Sequence, residues 1–210
     1  MEKTFPVIDL AATGENIARL RKDRGMTIRD LQSWFGFEEP QAIYKSKDYW
    51  AKCARGGGYR KYYGNDDNVI LWTDEARRHY RQDSIARIVP ANLRFKDGIT
   101  WSYITSGVPS FRKLWEDELF EKAGTSIFVN NIADISGLLG LLNSIVSREL
   151  LKIISPTMNY QVRDIFSIPV PKAVLTSNHT NNLVEQNIGM ERADWDSYET
   201  SWDFKRNPLV

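Results

Sequence analysis

ISGLLGLLNSIVSRELLKII, residues 135–154, is the most apolar stretch of the chain, and its reading decides how the rest is read. A helix of about twenty apolar residues crosses a bilayer. Arg148, Glu149 and Lys152 interrupt this one, and a membrane-spanning helix tolerates such charges poorly. The stretch reads as one buried helix, about Ile135 to Ile154, of a soluble protein without membrane partners.

Working outward, short β-like runs precede that helix and alternate with turn signals. They are NVILW (68–72) after GNDD, GITWSYI (98–104) and TSIFV (125–129). PTMNYQVRDI (156–165) follows the helix and leads into a strand ending in SIPVP at Pro171. Runs of strand flanking a helix predict an α+β protein, with a mixed α/β domain over residues 48–171. Beyond it, residues 172–210 are acidic and aromatic. Trp195, Tyr198, Trp202 and Phe204 predict one or two amphipathic turns that dock on the chain's own domain or on a partner.

Composition narrows the class. Hydrophobic residues make up 42% of the 210, enough to bury a core and to exclude a disordered chain. The single cysteine, Cys53, allows no internal disulfide and fits a reducing, cytoplasmic compartment. His79 and His179 lie far apart without cysteine partners, so no metal site is expected. The N-terminus lacks the basic and apolar regions of a signal peptide.

A net charge of +1 conceals an asymmetry. Residues 50–113 hold 12 basic and 6 acidic side chains, a surplus of six, whereas residues 114–210 hold 8 and 13, a deficit of five. A polyanion partner is therefore sought in the middle of the chain. That segment opens with WAKCARGGGYRKYYGN (50–65), where Lys52, Arg55, Arg60 and Lys61 surround Gly56, Gly57 and Gly58. Consecutive glycines let backbone N–H groups approach a phosphate, and Tyr59 offers a hydroxyl or a stacking face. The competing reading is a glycine-rich turn beside a solvated basic edge strand. Neither a GxxxxGK[ST] loop nor a GxGxxG fingerprint is present in the run.

Residues 1–47 read as helices. Thr13 caps one that stops at Gly25, Thr27 caps a second that ends at Gly36, and Pro40 opens a third, EEPQAIYK. The segment resembles the small helix-turn-helix proteins of bacteria through LQSWFGFEEPQAIYK. That resemblance implies base contacts from Gln41, Tyr44 and Lys45. The chain then continues as SKDYWAKC, without further helices to close the unit, so a truncated helical cap is the alternative.

From Asp48 onward four stretches occur in order: WAKCARGGGYRKYYGN, RFKDGITWSYITSG, LLGLLNSIVSRELLKIISPTMNYQVRDIFSIPVP and WDSYETSWDFKRNPLV. Together they resemble the C-terminal target-recognition part of PglX-type adenine-specific DNA methyltransferases of the BREX phage-defence systems. The resemblance implies restriction-modification chemistry on double-stranded DNA. S-adenosylmethionine would be held by the full-length family and by no residue of this chain. The family's Asn/Asp-Pro-Pro-aromatic motif has no counterpart, since the chain contains no Pro-Pro pair, and its FxGxG-like cofactor loop is missing. No catalytic residue is therefore assigned. Carried over, Arg55, Gly56, Gly57, Gly58, Tyr59, Arg60 and Lys61, with Lys52 beside them, belong to a DNA-facing loop. Arg94, Lys96, Thr100, Trp101 and Ser102 of RFxxGITWS lie on the same face. Asn143, Ser144, Asn159 and Gln161 are expected to be structural. The chain looks cut relative to that family, so a methyltransferase catalytic domain or another defence-system subunit is the expected partner. The competing function is a helix-turn-helix transcriptional regulator with a C-terminal interaction domain.

Overall fold

The structure is a computed structural model that describes residues 50–85 and 89–208, together with Arg19 and Asp23. The chain divides into two units, Met1–Ile43 and Tyr44–Val210, and the described sheets and helices from Trp50 onward belong to the second. Gln41 and the helix-turn-helix pattern, with Tyr44 and Lys45, lie outside the described residues.

Two three-stranded sheets form the α+β framework. In the first, β1 (Trp50–Ala54) lies between β2 (Val69–Leu71), antiparallel to it, and β5 (Glu118–Phe120), parallel to it. In the second, β3 (Gly98–Trp101) lies between β4 (Phe111–Leu114) and β6 (Ser126–Ile127), antiparallel to both. The expected strands at 68–72, 98–104 and 125–129 exist in shortened form. β1, β4 and β5 come from stretches whose alternation is hidden by charged residues such as Lys52, Arg112 and Glu118, all three of which are buried.

Helix α1 (Asp74–Gln82) follows β2. Thr73 caps it by accepting the Ala76 N–H at 3.2 Å, and Asp74 and Glu75 occupy its first turn. After β6 come α2 (Asp134–Leu142), α3 (Ile145–Ile154), α4 (Val162–Phe166), α5 (Lys172–Leu175) and α6 (Asn178–Trp195).

The expected single helix at 135–154 is in fact two, broken at Asn143–Ser144. The reason is local and polar. The Asn143 side chain accepts the Phe111 N–H at 3.1 Å and donates to the Phe111 carbonyl at 2.9 Å, so it pairs with the first residue of β4. Ser144 then turns extended (φ −72°, ψ 161°) and its hydroxyl accepts the Ser147 N–H at 3.3 Å, capping α3. Among the described residues no helix is long and apolar enough to cross a membrane.

The main core lies where β3, β4 and β6 meet the helices. Ile99, Trp101, Phe111 and Ile127 from the sheet pack with Ile135, Leu139 and Leu142 of α2, Leu151 of α3, and Val184 and Ile188 of α6. Trp101 is wholly buried, and its indole N–H donates to the Tyr160 carbonyl at 2.8 Å. Gly137 and Gly140 make the close approach of α2 possible. A Cβ on Gly137 would lie 2.7 Å from the Val174 carbonyl oxygen, and one on Gly140 would lie 2.8 Å from Val184 Cγ2. A smaller core of Ala51, Trp72 and Leu119 sits on the first sheet.

One further expectation is corrected and one is extended. The strand ending in SIPVP is absent from the described residues 156–171, where Asp164 accepts the Gln161 N–H at 2.9 Å and starts α4 instead. In the C-terminal stretch, residues 196–203 form turns as expected, and ahead of them lies the 18-residue α6, which the sequence reading does not include. Its buried positions, Val184, Ile188 and Trp195, are too sparse to give an apolar stripe among so many Asn, Gln and Glu residues.

Candidate nucleic-acid interface

The glycine run opens as β1 leaves the first sheet. Gly56 and Gly57 take φ values of +87° and +141°, a region that residues with a Cβ rarely enter. Space is equally decisive. A Cβ on Gly56 would stand 2.6 Å from the Ala123 carbonyl oxygen, and one on Gly57 would stand 2.7 Å from the Asn65 side chain. The Gly57 N–H donates to Ser102 Oγ, which donates in turn to the Gly57 carbonyl, both at 3.0 Å. Asn65 Nδ2 closes the loop on the Gly58 carbonyl at 2.9 Å. Two of the three glycines thus serve backbone packing. Gly58 alone of the three meets no neighbour, and beside it Tyr59 is 60% exposed.

The loop and the GITWS strand are brought together, yet the strand contributes little surface. Thr100, Trp101 and Ser102 are all buried, and the Thr100 hydroxyl donates to the Gly124 carbonyl at 2.9 Å. After the loop, Tyr62 aligns with β4: its N–H donates to the Phe111 carbonyl at 2.8 Å, and its carbonyl accepts the Lys113 N–H at 3.0 Å.

The four cations around the run each have an internal partner. Lys52 is buried in β1 with its ammonium 3.3 Å from Asp66. Arg55 is exposed and meets Glu121 at 3.0 Å. Arg60 donates to Asp194, lies 3.8 Å from Glu191, and is held between the rings of Trp195 and Tyr198 at 5.4 and 5.5 Å. The Asp194 carboxylate holds its guanidinium above the ordinary range. Lys61 donates to the Asn143 carbonyl at 2.8 Å, at the C-terminal end of α2, where the helix dipole favours a cation.

Behind the loop lies a buried charged cluster of Lys52, Asp66, Arg112 and Glu118. Lys52 and Glu118 are register partners on β1 and β5. Burial pushes the Glu118 carboxyl up to about 8, against the opposing effects of the Trp115 N–H and of Lys52. Burial likewise pushes Arg112 down to about 10. A void of about 10 Å³ is lined by Asp66, Arg112 and Glu118 among others, and Asp66 Oδ1 reaches no protein donor there. That volume is on the scale of one water. Cys53, next to Lys52, is pushed up to about 12 by burial and then by Glu121 and Glu118, which keeps its thiol protonated.

Arg94 sits elsewhere, half-buried beside α1, and Lys96 is exposed. Arg94 donates to the Val89 carbonyl at 2.7 Å and its guanidinium lies 5.5 Å from the Trp72 ring centre. Arg77 of α1 lies over the same ring at 5.5 Å. Burial, then Arg81 and Arg77, depress Arg94 below its ordinary value. The α1 arginines are absent from the sequence-based expectation. Their signal is present in TDEARRHYR, a capped helix start followed by arginines at helical spacing, but the glycine run is the stronger local pattern. Among the described residues no three His, Cys, Asp or Glu side chains gather to hold a metal.

Asn143, Ser144 and Gln161 are structural, at the helix break and the start of α4, and the Asn159 carbonyl accepts the Ser155 hydroxyl at 2.9 Å. The C-terminal aromatics dock within the same unit: the Trp202 indole donates to the Asp66 carbonyl at 2.8 Å, and Trp195 packs against Gly64.

No protein-family profile matches the chain. It is 32% identical over 177 residues to the adenine-specific methyltransferase BrxX of Escherichia coli O9:H4 (strain HS), a match that covers 80% of this chain. It is 35% identical over 167 residues, 77% of this chain, to the adenine-specific methyltransferase PglX of Lacticaseibacillus casei (strain Zhang). Each match covers 14% of the relative, so the chain corresponds to a small part of these longer proteins. Over most of its length, then, the chain is related to a segment of the BrxX and PglX adenine-specific methyltransferases.

Proposed function

We propose that the chain is a cytoplasmic DNA-binding target-recognition fragment of a BREX-type adenine-specific DNA methyltransferase, with a methyltransferase catalytic domain or other defence-system subunits as its partners. The observation that carries this reading is the match to two such methyltransferases over more than three quarters of the chain. The basic surplus of residues 50–113 supports DNA as the partner. In such a system phosphate contacts fix the register, base-edge contacts read the site, and the catalytic domain acts on an adenine taken out of the stack.

S-adenosylmethionine belongs to the catalytic part, and among the described residues Gly56, Gly57, Gly137 and Gly140 do not fit it. A cofactor loop needs open glycines after a strand, whereas Gly56 and Gly57 are filled by Ala123 and Asn65, and Gly137 and Gly140 by Val174 and Val184. No methyl-transfer step is assigned to residues of this chain. The test is fluorescence anisotropy with a labelled random-sequence duplex across a salt series. A slope of roughly −4 or steeper in log K against log salt is expected for several phosphate contacts. Absence of binding at low salt removes the reading. A parallel titration with S-adenosylmethionine is expected to show no heat, and saturable binding there would assign the chain a catalytic part instead.

A further inference from the structure

The distribution of unpaired charge points away from the glycine run. Lys52, Arg55, Arg60 and Lys61 are each engaged within the fold. On α1, by contrast, Arg78 and Arg81 are exposed and have no ion pair within 4 Å among the described residues, although the Arg81 Nε–H donates to the Arg77 carbonyl at 3.1 Å and both act on Asp74 from a distance. Arg77, Arg78 and Arg81 fall within about 100° of one another around the helix axis, so they form one stripe. Asp74, in the same stripe, pairs with Arg77. Asp83, just past the helix end, lies 3.8 Å from His79. Glu75 is on the flank, in the first turn.

The stripe is continued by Arg94. Like Arg77, it places its guanidinium 5.5 Å from the centre of the Trp72 ring. Arg81 and Arg77 both act on the Arg94 guanidinium, helping burial to depress it below its ordinary value, and that repulsion is relieved when an anion arrives. Guanidinium groups suit phosphate because their planar donors match its oxygens, and the buried Trp72 fixes the orientation of two of them. We propose that Arg78 and Arg81 of α1, with Arg94 beside them, form the surface that receives the phosphate backbone of duplex DNA. The assignment rests on the target-recognition reading, and it moves the contact from the loop to the helix.

The experiment compares the full chain with R78A/R81A, R78K/R81K and R55A on the same labelled duplex across a salt series. Both α1 arginines face solvent, so thermal melting of the variants should match the parent. R78A/R81A is expected to weaken binding roughly tenfold at about 50 mM salt and to make the salt slope shallower by about two. R78K/R81K should keep the slope, because charge is conserved, and R55A should change affinity less than about twofold. An R78A/R81A protein that keeps the parental affinity and slope overturns the site while leaving the functional reading intact. A parent chain that binds no duplex at low salt overturns both.

Discussion

The loop at residues 55–65 and helix α1 carry similar numbers of basic side chains but use them in opposite ways. In the loop, each cation is matched: Arg55 to Glu121, Arg60 to Asp194, Lys61 to a helix C-terminus. On α1, Asp74 serves Arg77, while Arg78 and Arg81 are exposed with no ion pair within 4 Å among the described residues. The acidic partners of the loop come from the turn after β5 and from α6, far along the chain. A surplus of charge in a sequence window therefore says little about where charge remains available. What remains depends on which distant carboxylates the fold brings in.

Removing Lys52 puts that comparison under the greatest strain. Lys52→Ala leaves the Asp66 carboxylate, whose side chain is only 12% exposed, without its ammonium partner, and we expect a loss of roughly 3–5 kcal/mol in urea unfolding. Were Lys52 a phosphate ligand, the variant would instead keep its stability and lose DNA affinity.

The same cluster makes stability depend on pH. Glu118 ionises near pH 8 when folded, at about 8, but at the ordinary carboxylate value when unfolded. Between those values the unfolded state has released a proton that the folded state retains. Stability is therefore fully present at low pH, falls as pH rises from about 5 towards about 8, and levels off above, with a slope no steeper than about 1.4 kcal/mol per pH unit. Glu118→Gln should flatten this part of a plot of Tm against pH, and an unchanged slope would show that another group titrates.

Next in size is the contrast within the glycine run itself. Gly57→Ala places a Cβ against Asn65 at a strained φ and is expected to cost about 1–3 kcal/mol. Gly58→Ala meets open space and should change stability by less than about 0.5 kcal/mol. Equal effects at both positions would mean that Asn65 does not hold the loop at Gly57. Arg55→Ala has the smallest expected effect, within about 0.5 kcal/mol, because its pair with Glu121 is solvent-exposed. A larger loss in thermal melting would show that this pair closes the loop.

The α+β class was legible, because short β-like runs flank a long apolar helical stretch. So were the structural roles of Asn143 and Ser144, whose polar side chains interrupt LLGLL and IVSRELL. The break between α2 and α3 was not, since it requires the edge of β4 to present Phe111 to Asn143. Helix α6 was hidden for a different reason. It buries only a few apolar residues and covers them with Asn and Gln, so periodicity is faint. At the candidate site, proximity of the glycine run to GITWS was anticipated, and Ser102 makes that contact. The burial of Lys52, Thr100 and Trp101 was not, because residue type alone does not fix exposure.

By itself the sequence determined the composition of the core, the glycines that only a close-packed or left-handed turn requires, the charge asymmetry between residues 50–113 and 114–210, and the likeness to the methyltransferases. These depend on residue type and order, which are local properties. Only the tertiary structure decided which cations are consumed. The Coulomb energy of a cation depends on distance and on exclusion of water, and both are set by residues such as Asp66, Glu121 and Asp194 that lie 14, 66 and 134 positions from their partners.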